Sequence, residues 1–399
     1  MTDYQPNIVH QGGQTQIGSL NRVFHCNHYN AHLQMVVRMT KGMPNHEPER
    51  LLVDAVTPLI QHLQQGGYSQ DDLIKEFALC GFGILQQHDD NTWYTPHSHY
   101  SETTYSHGKP DKTCFFNSGY IQALANQHVE ETECQMLGAE QDKYVTTGQP
   151  LQVSPYLNLD MPLQTNLPAR FDFEDCQHFN TRVDEAEILV AVQGLPLYGR
   201  TGAGETGLID AFGVVLTNHF ADYYNRISYE TYFAMRHAGL PEEDSKEMFI
   251  QSGHICAFNT FGGIMSSPEW HAVVEPMCDN REDWFHGMIA IINAFGWGLF
   301  RVEKIDVEKE LIVRVYNSYE GVGFRRIYPA TDEKNISFLG MGAVLGLVHL
   351  LWKVDIREKL TLNQEFYVNQ FNNPHNRYNV VQTHAIAADD EYDRFVVYK

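Results

Sequence analysis

The sequence predicts a mixed α/β fold in which one module, an antiparallel sheet with packed helices, occurs twice. Composition is the first observation: 43% of the 399 residues are hydrophobic and 12% are aromatic, which is typical of a folded protein. Helical and strand-like patterns also alternate along the chain. Finally, several landmarks of the first half recur in the same order in the second half, which indicates an internal repeat. A chain of this length has room for two or three domains.

The first half begins with a Gln- and Gly-rich stretch at residues 1–20, which predicts a loose arm. Apolar residues at helical spacing predict a helix over 51–63. Ser69 is a candidate N-cap for a further helix over 71–80, because two aspartates follow it in the first turn. Strands are predicted from residue 84, over 92–104 and over 129–134, with a short helix over 120–126 before the last of them.

The second half repeats these signals. A helix is predicted over 288–295 and a strand over 311–315. The Gly-Phe-Gly turn at 81–83 recurs as Gly-Trp-Gly at 296–298. We match Glu102 with Glu320, Cys114 with Ser337, Cys134 with His384, Asp142 with Tyr392, and His25 with His254. The prediction is a tandem duplication with an N-terminal domain at 1–148, a Pro-rich linker at 149–186 and a C-terminal domain at 187–399. Within the latter, 187–192 predicts a strand and 208–224 predicts a helix.

Acidic residues outnumber basic ones by 50 to 28, which gives a formal net charge of −22. A surface this negative repels phosphate backbones and anionic lipid head groups, so neither nucleic acid nor a membrane is an expected partner. No apolar run reaches the roughly 20 residues that span a bilayer, and the first residues lack the pattern of a secretory signal. The seven cysteines are odd in number and scattered, which favours a reducing compartment, the cytoplasm, over a disulfide framework.

Histidines cluster near the start of the chain. On a helix, His25, His28 and His32 would share one face, and imidazoles so placed bind iron, copper or zinc, or ligate a haem. Cys26 is a candidate nucleophile or soft ligand. We therefore name His25, Cys26 and His28 as candidate catalytic residues. The alternative is ordinary surface or core histidines, because the chain has 20 of them and chance clusters are common.

Two further histidines, His97 and His99, alternate on a predicted strand and would point to the same side of the sheet. Together with the helical histidines they would form an open metal site with room for substrate, so both are candidate metal ligands. The sequence Gly-Ala-Gly-Glu-Thr-Gly at 202–207 spells a dinucleotide fingerprint, but it does not follow a strand directly and is interpreted as a flexible loop. The aromatic stripe over 212–224 is interpreted as helical core packing, with a ligand pocket or a dimer interface as the alternative.

The segment Cys114–Tyr144 resembles the 4-vinyl reductase domain family, which includes the sensor domains of phenol- and toluene-responsive transcription activators. The similarity is carried by Cys-Phe-Phe-Asn-Ser-Gly-Tyr from residue 114 and Glu-Thr-Glu-Cys-Gln-Met-Leu-Gly from residue 131. It covers residues 20–148 and 245–399. The resemblance implies an α/β domain enclosing an apolar pocket for a small aromatic molecule or a tetrapyrrole. It also implies zinc ligands at Glu102, Cys114 and Cys134; where a further cysteine is expected, this chain has Asp142, and a carboxylate also binds zinc.

Two functions follow as hypotheses. The first is a metal-dependent enzyme, such as an oxidoreductase, that acts on a small aromatic or planar molecule in the N-terminal copy with zinc, iron or haem. The alternative is a non-catalytic sensor or carrier that binds a small molecule or tetrapyrrole and has a structural zinc at Glu102, Cys114, Cys134 and Asp142. A purely structural subunit is a third hypothesis. In each, the second copy has lost the metal and serves as scaffold and pairing surface, and a homodimer is a candidate assembly.

Overall fold

A computed structural model describes residues 7–103, 110–151, 161–333, 335–371 and 378–399. Within these ranges the chain forms three antiparallel sheets packed with helices, which confirms the predicted mixed α/β class. The strands are β1 (Ile8–Gln11), β2 (Gln14–Ile17), β3 (Leu20–Cys26), β4 (Gly83–Gln87), β5 (Thr92–Ser98), β6 (Gln127–Glu133), β7 (Asp142–Pro150), β8 (Ile209–Ala211), β9 (Val214–Phe220), β10 (Leu299–Asp306), β11 (Glu310–Tyr316), β12 (Asn379–His384) and β13 (Asp393–Tyr398).

The helices are α1 (Asn27–Met39), α2 (Pro48–Asp54), α3 (Thr57–Gln65), α4 (Gln70–Leu79), α5 (His99–Glu102), α6 (Phe115–Ala125), α7 (Glu185–Gln193), α8 (Ala221–His237), α9 (Glu242–Cys256), α10 (Gly262–Met265), α11 (Pro268–Val273), α12 (Arg281–Ala294), α13 (Tyr319–Ile327), α14 (Phe338–Val348) and α15 (Gln364–Phe371). Two π-helical turns, Ala257–Phe261 and His349–Lys353, continue α9 and α14. Among the described residues, no helix combines the length and the apolar character needed to cross a membrane.

Two four-stranded sheets have the same strand order. One is β4-β5-β7-β6 and the other is β10-β11-β13-β12, and in each a helix (α6 or α14) lies between the second and third strands in sequence. The same turn precedes both sheets, since the N–H of His99 donates to the carbonyl of Phe82 at 3.0 Å and the N–H of Tyr319 donates to that of Trp297 at 3.1 Å. Equivalent positions can therefore be assigned from hydrogen bonds rather than from sequence alone.

This assignment changes several matches made from the sequence. A short 3-10 turn precedes the last strand of each sheet, at Gln135–Leu137 and at Ile386–Ala388. Counting from these turns makes Cys134 equivalent to Ala385 rather than to His384. Counting from the strand starts makes Asp142 equivalent to Asp393 rather than to Tyr392. These two sequence matches were displaced by one residue. The match of Glu102 with Glu320 was displaced by two, since the equivalence of His99 and Tyr319 places Glu320 at the position of Tyr100.

The third sheet joins the two halves of the chain. Its order is β1-β2-β3-β9-β8, and β3 pairs antiparallel with β9. Strand β3 leads directly into α1, and β9 leads directly into α8. The register pairs Phe24 with Asn218, and each of these residues lies two positions before the end of its strand. The pairing is therefore locally two-fold symmetric. It makes His219, and not His254 of α9, the residue at the position equivalent to His25.

Several predicted elements differ in the structure. Residues 8–17 form the hairpin β1-β2 rather than a loose arm, and 51–63 is divided between α2 and α3. Residues 187–192 lie in helix α7 rather than in a strand. Residues 208–220 contain the hairpin β8-β9, and only the end of the predicted helix, from Ala221, is helical. Residues 202–207, where the fingerprint lies, precede β8 without forming a helix.

An ion pair lies inside the core between these sheets. Arg22 on β3 and Glu76 on α4 are both buried and contact each other directly, and the Arg22 guanidinium lies 3.5 Å from the centroid of the Phe220 ring. A buried charge is tolerated only when it is paired, so this contact fixes α4 against the shared sheet. Core residues from both halves belong to one connected hydrophobic cluster.

Candidate metal centre and ligand cavity

Four side chains capable of binding a metal converge in the N-terminal half. Cys114, Glu131, Cys134 and Asp142 each present one ligand atom, and these four atoms lie within 4.8 Å of one another. Within the described ranges no other group of three or more His, Cys, Asp or Glu residues meets this criterion. The cluster ties together the start of α6, the end of β6 and the start of β7.

Asp142 is held in place by a set of donors. Its Oδ1 accepts a hydrogen bond from the backbone N–H of Gln135 at 2.8 Å. Its Oδ2 accepts from the hydroxyls of Ser101 at 2.9 Å and Thr95 at 3.1 Å, and from the thiol of Cys114 at 3.3 Å. A carboxylate fixed in this way keeps its orientation whether or not an ion is bound.

The electrostatics of the cluster favour a cation. Burial raises the pKa of the Cys114 thiol well above its usual value, and burial followed by the Cys134 contact raises the pKa of Glu131 to about 9. The hydrogen bond from Cys114 lowers the pKa of Cys134 to about 6. Oε1 of Glu131 is buried with no hydrogen-bond partner among the described residues. Lys112 donates through Nζ to the backbone carbonyl of Glu131, but one ammonium group faces two thiols and two carboxyl groups. Several acidic groups therefore share one buried site with too little positive charge to balance them, which is the environment that a divalent metal stabilises.

The chemistry of the donors fits zinc. Two thiolates and two carboxylate oxygens form a mixed soft and hard set of four, the number of ligands in a tetrahedral structural zinc site. With four protein ligands, no position remains for substrate, whereas a catalytic zinc site keeps one open.

The equivalent positions in the C-terminal half have uncharged side chains around Asp393, those of Ser337, Gln382 and Ala385. The Ser337 hydroxyl donates to Oδ2 of Asp393 at 2.9 Å, and the Gln382 amide donates to Oδ1 at 3.0 Å. Burial raises the pKa of Asp393 to about 6. The two thiols and the second carboxyl group of the N-terminal cluster are therefore replaced together, so this half satisfies its buried aspartate with hydrogen bonds alone.

The structure brings three of the predicted zinc ligands together and leaves Glu102 outside. Oε1 of Glu102 accepts from the backbone N–H of Ser98 at 3.1 Å and lies 3.0 Å from Nδ1 of His97. Glu131 was not identified from the sequence. Its position three residues before Cys134, near the end of a strand, was the signal that could have indicated it, because both side chains then lie at the same sheet end.

The predicted catalytic residues do not share one face of a helix. His25 lies on β3 and Cys26 caps α1, and both are fully buried, whereas His28 lies on α1. The His25 ring stacks on Tyr29 at 4.3 Å and on Trp297 at 4.9 Å between centroids, and burial lowers its pKa well below the usual value. His25 is therefore a neutral core side chain.

His97 and His99 also lie apart from each other. His99 begins α5 instead of continuing the strand, and it is fully buried with Nε2 2.9 Å from the Asn30 amide nitrogen. His97 is on β5 and partly exposed beside Glu102. Because the chain turns into a helix after Ser98, the alternation that would have placed both rings on one side of the sheet is interrupted.

A cavity of about 1050 Å³ lies at the junction of the two halves, away from the metal cluster. Its walls come from α1, the tip of the β8-β9 hairpin, α9 with its π-helical turn, α10, α11 and α15. Of the predicted catalytic residues, His28 lines it and His25 and Cys26 do not. Burial lowers the pKa of His28, so its imidazole is neutral near pH 7.

No protein-family model and no curated protein matches the sequence. One solved structure that matches is the phenol-responsive sensory domain of the transcription activator PoxR with phenol. It aligns with a TM-score of 0.37 and 10% identity over 53% of this chain and 90% of that domain. Membership of the 4-vinyl reductase domain family therefore stays a prediction.

Proposed function

We propose that this protein is a non-catalytic small-molecule-binding protein whose N-terminal half is stabilised by a structural zinc ion at Cys114, Glu131, Cys134 and Asp142. The observation that carries the proposal is the contrast between this buried cluster and the counterpart in the C-terminal half, where serine and glutamine side chains surround one aspartate. One scaffold supports both arrangements, so the thiols and the extra carboxyl group are not required by the fold itself.

The metal is assigned a structural role because the cluster is closed and buried. Its ligands come from three successive elements, so an ion would cross-link α6, β6 and β7. The enzyme hypothesis required histidines around an open metal, and among the described residues the histidines at 25, 28, 97 and 99 occupy separate environments. We therefore favour binding over catalysis.

The duplication is part of the same proposal. Support comes from the shared strand order of two sheets and from the symmetric pairing of β3 with β9. We propose that residues 1–148 and 187–399 derive from one ancestral module. In the predicted linker, Gln177 donates from its backbone N–H to the carbonyl of Glu303 at 2.8 Å, so this segment packs on the C-terminal sheet.

Metal analysis of the full-length protein tests the proposal. We expect one zinc per chain after purification without chelator, and loss of that zinc in Cys134→Ala. Cys80→Ala is the matched control, because Cys80 is equally buried but lies outside the cluster. Zinc-free wild-type protein that fails to take up added zinc, or a Cys134→Ala variant that retains it, would contradict the proposal.

A further inference from the structure

The large cavity has a distinctive charge pattern. Asp210 at the hairpin and Glu269 on α11 contribute carboxylates to its wall, and both side chains are solvent-exposed. The described residues that line it include no Lys or Arg. An anionic ligand would therefore meet two negative charges and no positive one, in a chain whose net charge is −22. A cation would meet favourable charges at the rim.

Aromatic rings form the apolar part of the same wall. Phe212, Phe258 and Tyr367 line the cavity together with aliphatic side chains such as Met35 and Leu362. The rings of Phe258 and Tyr367 pack edge to face with centroids 5.0 Å apart. Flat rings beside aliphatic groups complement a planar apolar body, and aromatic faces also attract an organic cation.

Phe212 is held in a backbone conformation that its side chain disfavours. Its φ is 56°, and Gly213 follows with φ 73°, so the two residues form a tight hairpin turn of the kind that normally has Asn-Gly or Gly-Gly. A non-glycine residue in this region costs about 1–3 kcal/mol. An aromatic ring kept at a strained turn in a cavity wall indicates that the ring itself is needed there.

The position of this turn is fixed by the opposite wall. A Cβ on Gly263 of α10 would lie 2.1 Å from the carbonyl oxygen of Phe212, so only glycine allows the hairpin tip to approach. The π-helical turn Ala257–Phe261 lies immediately before α10 and places Phe258 and Asn259 in the cavity wall. Such π turns are uncommon and occur frequently at functional sites.

We infer that this cavity binds an organic cation with a planar apolar body, of the chemical class of the aromatic amines. The positive group would face Asp210 and Glu269, and the ring system would lie against Phe212, Phe258 and Tyr367. The inference rests on the proposed small-molecule-binding function and specifies both the site and the class of ligand. The volume suits it, since ligand pockets measure about 300–1000 Å³.

Three probes with one ring system separate charge from shape: 1-naphthylmethylamine, 1-naphthalenemethanol and 1-naphthoate, titrated calorimetrically into the full-length protein at pH 7. We expect the amine to bind at least about tenfold more tightly than the carboxylate, with the alcohol between them. Asp210→Asn should reduce the preference of the site for the amine over the alcohol. Asp90→Asn, which removes an exposed carboxylate outside the cavity, should leave it unchanged.

A second variant tests the aromatic wall without endangering the fold. Phe212→Asn introduces a residue that tolerates positive φ, so the protein should unfold at the same temperature or higher while affinity for all three probes falls at least about fivefold. Equal or tighter binding of the carboxylate, or undetectable binding of every probe, would overturn the inference. If the amine binds but neither Asp210→Asn nor Phe212→Asn changes its affinity, the binding site lies elsewhere, and the inference is also overturned. Zinc content, measured on the same samples, reports separately on the proposed function.

Discussion

Converting the metal cluster into its hydrogen-bonded counterpart would test the comparison between the two halves directly. The triple variant Cys114→Ser, Glu131→Gln and Cys134→Ala gives Asp142 the residue types that the C-terminal half has at the three equivalent positions around Asp393. We expect the variant to lose its zinc and to keep its fold. The reason is that a serine hydroxyl and a glutamine amide already satisfy the equivalent aspartate.

The expected magnitudes follow from binding linkage and from the contacts. A metal present at 100 to 1000 times its dissociation constant stabilises the folded state by about 2.7–4.1 kcal/mol, so chelation should lower the free energy of unfolding of the wild type by about that amount. In the variant, a hydroxyl donor replaces the Cys114 thiol and an amide donor is added. The corresponding hydrogen bonds measure 2.9 and 3.0 Å in the C-terminal half, and such bonds contribute about 0.5–1.5 kcal/mol each. The triple variant should therefore be more stable than the chelated wild type and should not respond to chelator.

Urea unfolding with and without EDTA, monitored by circular dichroism, provides the assay. Cys114→Ala alone is the informative comparison, because it removes a ligand without supplying the replacement hydrogen bonds and should be less stable than the triple variant. If the triple variant still binds zinc, or is destabilised as much as Cys114→Ala, the two clusters are not alternative solutions for one scaffold and the reasoning fails.

Three further predictions concern the rest of the fold. Burial lowers the pKa of His99 to about 3, so His99 stays neutral when folded but takes up a proton when unfolded below pH 6.5. The free energy of unfolding therefore decreases as the pH falls, by at most about 2.7 kcal/mol from pH 6.5 to 4.5. Over that range the free energy of unfolding of His99→Gln should depend less steeply on pH than that of the wild type. Gly263→Ala should cost about 1–3 kcal/mol because its Cβ would meet the Phe212 carbonyl, whereas Gly202→Ala, with its nearest neighbour at 3.5 Å, should leave the melting temperature unchanged. Arg22→Met removes the positive charge of the buried Arg22–Glu76 ion pair and should cost about 3–5 kcal/mol in urea unfolding; a loss below 1 kcal/mol would contradict the burial argument.

Local signals in the sequence predicted local structure well. Ser69 caps α4 as expected, with its side chain accepting from Asp72 N–H and the Asp72 side chain accepting from Ser69 N–H. The hairpin β8-β9 was missed for a specific reason. Phe212, Leu216 and Phe220 are four residues apart, a spacing that fits one face of a helix and equally fits every second position of a strand. The turn signal that separates these cases, Gly213, was outweighed by the aromatic spacing.

Long-range placement was the harder problem for the candidate site. Cys114, Cys134 and Asp142 converge as the sequence indicated, but Glu131 rather than the predicted Glu102 lies beside them. Glu102 ends α5, the short helix that follows β5, and Glu131 lies near the end of β6; only the sheet order shows which of the two meets the cysteines. The cavity was beyond sequence reasoning, since its walls come from both halves of the chain.

The pairing of β3 with β9 has a consequence for how the protein is made. During synthesis, β3 is complete when Cys26 leaves the ribosome, but its partner strand does not follow until Leu216 and its neighbours have been translated. For all of that interval the nascent chain has one open sheet edge, a surface prone to wrong association. We expect the acidic character of the chain and the early hairpin β1-β2, which occupies the other edge of β3, to keep the growing polypeptide from aggregating until its own second half closes the sheet.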